Sequence, residues 1–263
     1  MFKMNVVKKV LLVLLLTMVP QQLMLFFTRN WSNPWTFVFI SFVAFCLCFV
    51  AIKIVGKPKN LTIKASHMSY FITRGWYLII AGVILGVLNL LSIEGSYIPS
   101  KQEVVIFFTE IVFVVLFEET LFRGIIQNYI MEDFEKKDVS PWRALCIASA
   151  IFGAVHILNL LGRPYFVLGT VTQVIYTFCV GIIIGTVYWS SKNIWSCFLL
   201  HYIFNALGGY SDLLVEKNNR SCDSKLHRYR YRLFKCCHSV THHATLHTYS
   251  MAHIQASYQK ALR

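Results

Sequence analysis

The stretch Phe117-Glu118-Glu119-Thr120-Leu121-Phe122-Arg123-Gly124 places three charged side chains inside an otherwise apolar run. From Val104 to Phe117 the only charged residue is Glu110, and after Arg123 the apolar pattern resumes at Gly124-Ile125-Ile126. A charge near the centre of a bilayer costs about 3 kcal/mol on insertion scales, so a group of them needs partners or a purpose. Glu119 and Arg123 stand four apart, meet on one face of a helix and form a natural ion pair. Glu118 is then left over, and a carboxylate in an apolar setting is a candidate general base. The competing structural reading is a polar seam that glues helices together.

Two histidines and an asparagine extend this polar set. His156 and His201 lie in later apolar segments, Phe152 shares a helix face with His156, and Asn205 shares one with His201. Taken singly, each has an ordinary reading as a packing or bridging residue. Together with a spare carboxylate they supply what amide hydrolysis requires. That is a base for water, a group to orient the water or protonate the leaving amine, and donors for a developing oxyanion.

These residues need a membrane scaffold to hold them, and the composition provides one. Of the 263 residues 56% are hydrophobic and the mean hydropathy is +0.56, which points to an all-α polytopic transmembrane bundle of about seven to eight spans. The first span follows Lys3, Lys8 and Lys9 and is read as uncleaved and kinked at Pro20. Further spans are expected at about Thr36 to Val55, Trp76 to Leu91, Lys101 to Met131, Pro141 to Leu161, Val171 to Trp189, and from Ile194 to between Gly208 and Val215. Ser140-Pro141 reads as an N-cap followed by proline at the first helical position. Gly181 and Gly185 form a small-xxx-small pair that favours close helix packing. Residues 1–103 are assigned to N-terminal transmembrane helices, 104–215 to a catalytic core and 216–263 to a basic, His-rich, disordered tail.

Charge sets the expected orientation. Lys53, Lys57, Lys59, Lys64 and Arg74 fall in one segment with no acid, which places that segment and the N-terminal lysines in the cytoplasm. Glu118 and His156 each lie ~20 Å from the cytoplasmic ends of their helices, and His201 ~10 Å, at the helical rise per residue. A polar cavity opening to the cytoplasm is expected. The net charge of +13 is concentrated in the tail, where residues 217–263 hold a surplus of +8, and no nucleic-acid motif accompanies it. The cysteines, mostly within apolar segments, show no disulfide framework.

Glu118-Glu119-Thr120-Leu121-Phe122-Arg123, Phe152-Gly153-Ala154-Val155-His156 and His201-Tyr202-Ile203-Phe204-Asn205 resemble, in order and spacing, the motifs of the CAAX prenyl protease type II family, also called the CPBP or Abi intramembrane proteases. The resemblance covers about residues 104–210. It implies a helical bundle whose site faces the cytoplasm and cleaves a membrane-associated peptide or protein. It further implies Glu118 as the base for water, His156 as its partner, His201 with Asn205 as the oxyanion site, and Glu119 and Arg123 in support. Bacterial members are tied to bacteriocin processing and self-immunity, so a bacterial plasma membrane is the expected location.

Metal involvement stays open at this level. Glu118, His156 and His201 are the candidate ligands for a divalent ion such as zinc, for which three protein ligands and an open water position form the catalytic pattern. Against it, the chain has no His-Glu-x-x-His helix, and a glutamate base with an oxyanion site needs no ion. The tail departs from the resemblance. Family members resemble eight-span proteins with both ends inside, whereas seven spans leave this basic tail outside, so residues 216–263 are read as a frame-shifted or divergent extension. Two other functions compete: a non-catalytic immunity or scaffold protein, and a transporter or proton relay. The second lacks recognisable inverted repeats.

Overall fold

The computed structural model describes residues 4–28, 31, 33–59, 61, 67–91, 93, 97–161 and 164–214. The tail from 216 onward, with the expectation attached to it, lies outside these residues. The described chain is all helical: α1 (Val6–Phe27), α2 (Thr36–Val55), the short α3 (Tyr70–Thr73), α4 (Trp76–Leu91), α5 (Lys101–Glu119), α6 (Asn128–Glu135), α7 (Pro141–Ala154), α8 (Val167–Ser191) and α9 (Ile194–Gly209). A π-helix, Thr120–Gln127, joins α5 to α6, and 3₁₀ turns extend α7 over Val155–Leu161 and α9 over Tyr210–Leu213. Short connections fold consecutive helices back on one another, which makes a helical membrane bundle.

Apolar length alone qualifies α1, α2, the run Pro141–Leu161 and α8 to cross a bilayer. The motif-bearing helix is more polar, and α4 is shorter at 16 residues. Large apolar side chains such as Leu11, Leu15, Phe39, Ile84 and Ile175 are exposed on the bundle surface, as lipid-facing residues must be. The centre is filled by Phe117, Leu121, Phe122 and Ile125 from the motif helix, packed against α1, α2 and α7.

Local chemistry explains most helix ends. Ser100 and Glu103 form a reciprocal capping box at the start of α5. Pro141 opens α7 as expected, although the Ser140 side chain makes no capping bond. Pro20 sits inside a continuous α1. The sixth span proves to be one helix from Val167, longer than the expected Val171 to Trp189.

Two ends of the bundle can be told apart by their contacts. At one end the start of α1, the end of α2 and α6 meet: Tyr129 donates to the Gly56 carbonyl, the Lys59 amide donates to Glu132, and the Lys9 ammonium lies 4.9 Å from the centre of the Tyr129 ring. This is the lysine-rich end. At the other, Asn89 at the end of α4 donates to the Gly208 carbonyl at the end of α9, at 2.9 Å. Close approach there depends on Gly86, since a Cβ would stand 2.6 Å from the Leu207 carbonyl oxygen. The expected glycine pair serves the α7–α8 contact, where Gly181 meets Ser149 and Gly185 meets Leu145.

Candidate active site

Both glutamates of the motif helix turn toward α9, but they meet different environments. Glu119 is buried, with its side chain 1% exposed, whereas the Glu118 side chain is 20% exposed and lines a cavity. Glu119 Oε1 faces Arg123 Nη1 at 3.1 Å, so the ion pair expected from the spacing is present. The same oxygen accepts from His201 Nδ1 at 2.7 Å. That second contact was not legible from helical spacing, because it joins residues 82 apart in the chain. With Nδ1 held in this way, His201 Nε2 points toward Glu118 Oε2, 3.7 Å away.

Phe152 organises the remaining groups. Its ring lies edge to face with His156, with centroids 5.3 Å apart, and with His201 at 6.1 Å. The Arg123 guanidinium carbon stands 4.4 Å from the ring centre, a cation–π contact in a dry setting. Arg123 is 2% exposed, and its Nη2 has no hydrogen-bond partner, so the carboxylate and the ring are what compensate its charge. The backbone carbonyl of Phe152 also fixes His156, lying 2.9 Å from Nδ1. A carbonyl only accepts, so Nδ1 carries the proton in that contact.

The π-helix begins immediately after Glu119. Such turns are rare and concentrate at functional sites. Its widened turns are tied to α8: Gln127 Nε2 donates to the Gly185 carbonyl at 3.0 Å, and Asn128 Nδ2 donates to the Tyr188 hydroxyl at 2.8 Å. Nothing in the apolar pattern announces this irregularity.

Glu118, Phe152, His156, His201 and Asn205 all line one cavity, so the structure brings the predicted site residues together. Glu119 and Arg123 stand behind it, joined to it through His201 and Phe152. Sequence reasoning missed Gln21 and Gln22 of α1, Asn159 of the turn after α7, and Gln173 of α8, which line the same space. Their signal was available, as amides inside apolar helices.

The walls of the cavity give it a direction within the bundle. Its walls come from the last part of α1, the first residues of α2, the end of α7 with its 3₁₀ turn, the first half of α8 and the second half of α9. It therefore runs from mid-bundle toward the end opposite the lysine-rich connections.

Among the described residues no group of three or more His, Cys, Asp or Glu side chains is placed to hold a metal ion, so Glu118, His156 and His201 do not fit a three-ligand centre.

Comparison with known proteins bears on residues 99–207, which match the family model described as Rce1-like, Type II CAAX prenyl endopeptidase. No curated protein and no solved structure matches the chain. The match spans both glutamates, both histidines and Asn205.

Proposed function

We propose that this chain, which in residues 99–207 belongs to the Rce1-like type II CAAX prenyl endopeptidase family, hydrolyses a peptide bond of a membrane-associated peptide or protein with water activated by Glu118. The family is one of peptide hydrolases, and the helical bundle fits an intramembrane CAAX-type protease. The observation that carries the water-activating role is the different fate of the paired glutamates. Glu119 is buried against Arg123 and His201, while Glu118 reaches the cavity beside His201 and His156.

The Glu118 carboxylate takes one proton from a cavity water, and the Nε2 lone pair of His156 accepts the other O–H and aims the oxygen. Attack on the substrate carbonyl moves its π electrons onto oxygen. Asn205 Nδ2 donates to that oxygen, and Glu119 orients the His201 ring beside it through Nδ1. Collapse breaks the C–N bond, and the proton on Glu118 passes to the departing amine. One water is consumed, and one acid and one amine result. Glu119, Arg123 and Phe152 act as positioning residues behind these groups.

Bacteriocin-like precursors and prenylated peptides are the substrate classes to present, with a bacterial plasma membrane as the setting. The test is proteolysis of such a panel by the protein in lipid, comparing wild type with Glu118→Gln and His156→Ala. Cleavage by wild type that is lost in both folded variants is expected. Retained cleavage in Glu118→Gln would remove the glutamate mechanism, and no cleavage of any peptide by wild type would favour the binding or immunity reading.

A further inference from the structure

Between Glu118 and the end of the bundle opposite the lysines, the cavity wall carries uncharged amides that the hydrolytic scheme leaves unused. Gln173 and Asn159 face each other across the start of α8 and the turn after α7, with Asn159 Nδ2 donating to Gln173 Oε1 at 3.0 Å. That bond uses one donor of Asn159 and one acceptor position of Gln173. It leaves the Gln173 amide hydrogens and the Asn159 carbonyl oxygen available as an adjacent donor and acceptor. Gln173 is only 6% exposed, so these groups are held in place and are not surface side chains. Gln21 lines the same cavity from α1 and is 9% exposed.

We propose that Gln21, Asn159 and Gln173 form a subsite for the main chain of an extended, uncharged polypeptide segment. The chemistry selects that ligand. A peptide unit offers one N–H and one C=O side by side, which complements the donor and acceptor left by the Asn159–Gln173 pair. Among the described residues the lining contains no Lys, Arg or Asp, and beside the amides it offers no charge, so an uncharged segment suits that part of the cavity. Apolar neighbours, among them Met18, Leu25 and Val155, suit apolar side chains on the same segment. The subsite rests on the hydrolase reading only for its purpose, since binding can be measured without turnover.

The test uses full-length Glu118→Gln protein in lipid nanodiscs and two fluorescent probes: an acetylated alanine–leucine octapeptide amide, and the same peptide with alternate backbone nitrogens methylated. Binding is read by anisotropy. Saturable binding of the first probe is expected, with at least a fivefold loss on methylation. Adding Gln173→Leu should weaken the unmethylated probe by a similar factor and shrink the methylation difference to less than twofold. Gln21→Leu, whose folding does not depend on the Asn159–Gln173 bond, should weaken the unmethylated probe at least threefold. Equal affinity for both probes, unchanged affinity in both leucine variants, or no binding at all would overturn the subsite. The hydrolytic reading is judged separately, by cleavage in the otherwise wild-type chain.

Discussion

Glu119 Oε1 stands 2.7 Å from His201 Nδ1 and 3.1 Å from Arg123 Nη1, so a single buried oxygen holds both the cavity-lining histidine and the motif arginine. Removing that carboxylate strands a buried guanidinium and turns His201 loose. Losing one partner of a buried pair costs about 3–5 kcal/mol. Glu119→Ala is therefore expected to lower the thermal unfolding midpoint sharply in detergent. Glu119→Gln, which still accepts from Nδ1, should lose less. Equal stability of both variants and wild type would mean that the contact carries no structural weight.

Glu118→Gln should behave in the opposite way. The side chain borders the cavity and no salt bridge shorter than 3.7 Å involves it among the described residues, so the amide replacement is expected to leave the unfolding midpoint nearly unchanged. Loss of a positioned base costs about 10²- to 10⁴-fold in rate. Single-turnover cleavage and a melting curve on the same preparation separate the two effects. A large fall in stability would recast Glu118 as a structural residue.

Much of the architecture was legible because membrane spans announce themselves by apolar length: α2 and α4 begin and end where the pattern says they should. The Glu119–Arg123 pair was legible for the same local reason, a four-residue spacing on one face. What local pattern could not carry was partnership across the bundle. His201 with Glu119, and Arg123 over the Phe152 ring, depend on how distant helices are brought together. The capping box of Ser100 and Glu103 was readable and was passed over. The π-helix was not readable, since Thr120 to Gln127 has no residue that demands it.

Sidedness follows from the cavity walls. Asn159 lies on the cavity side of the bundle, whereas Lys136 follows α6 at the lysine-rich end. In a background with the native cysteines replaced, Asn159→Cys and Lys136→Cys should react with a membrane-impermeant maleimide from opposite sides of sealed vesicles. With the lysine-rich end expected in the cytoplasm from the lysine and arginine bias, Asn159→Cys is expected to label from the other face. Trypsin cleavage at Lys136–Lys137 in inverted vesicles of the unaltered protein reports the orientation independently. Labelling of both cysteines from one side would contradict the direction of the cavity.

Chelation tests the ligand geometry. Because no three candidate ligands converge among the described residues, cleavage should survive prolonged exposure to a strong zinc chelator, with less than a twofold change in rate. Loss of activity that returns on adding zinc would show that Glu118, His156 and His201 rearrange into a metal centre during the reaction.

Phe152 offers a way to perturb the site without touching a reacting group. Its ring is in contact with Arg123, His156, His201 and Phe122, and it is 1% exposed. Phe152→Ala should cost about 3–5 kcal/mol through lost burial and the cavity left behind. Phe152→Leu fills much of that volume but removes the π face from Arg123, worth about 0.5–2 kcal/mol. It should therefore remain folded while losing rate, because both histidines lose an edge-to-face neighbour. The discriminating readout is the ratio of effects: a fall in kcat of about tenfold or more with little change in KM marks a positioning role. Parallel losses of rate and stability across the leucine and alanine variants would reduce Phe152 to a packing residue.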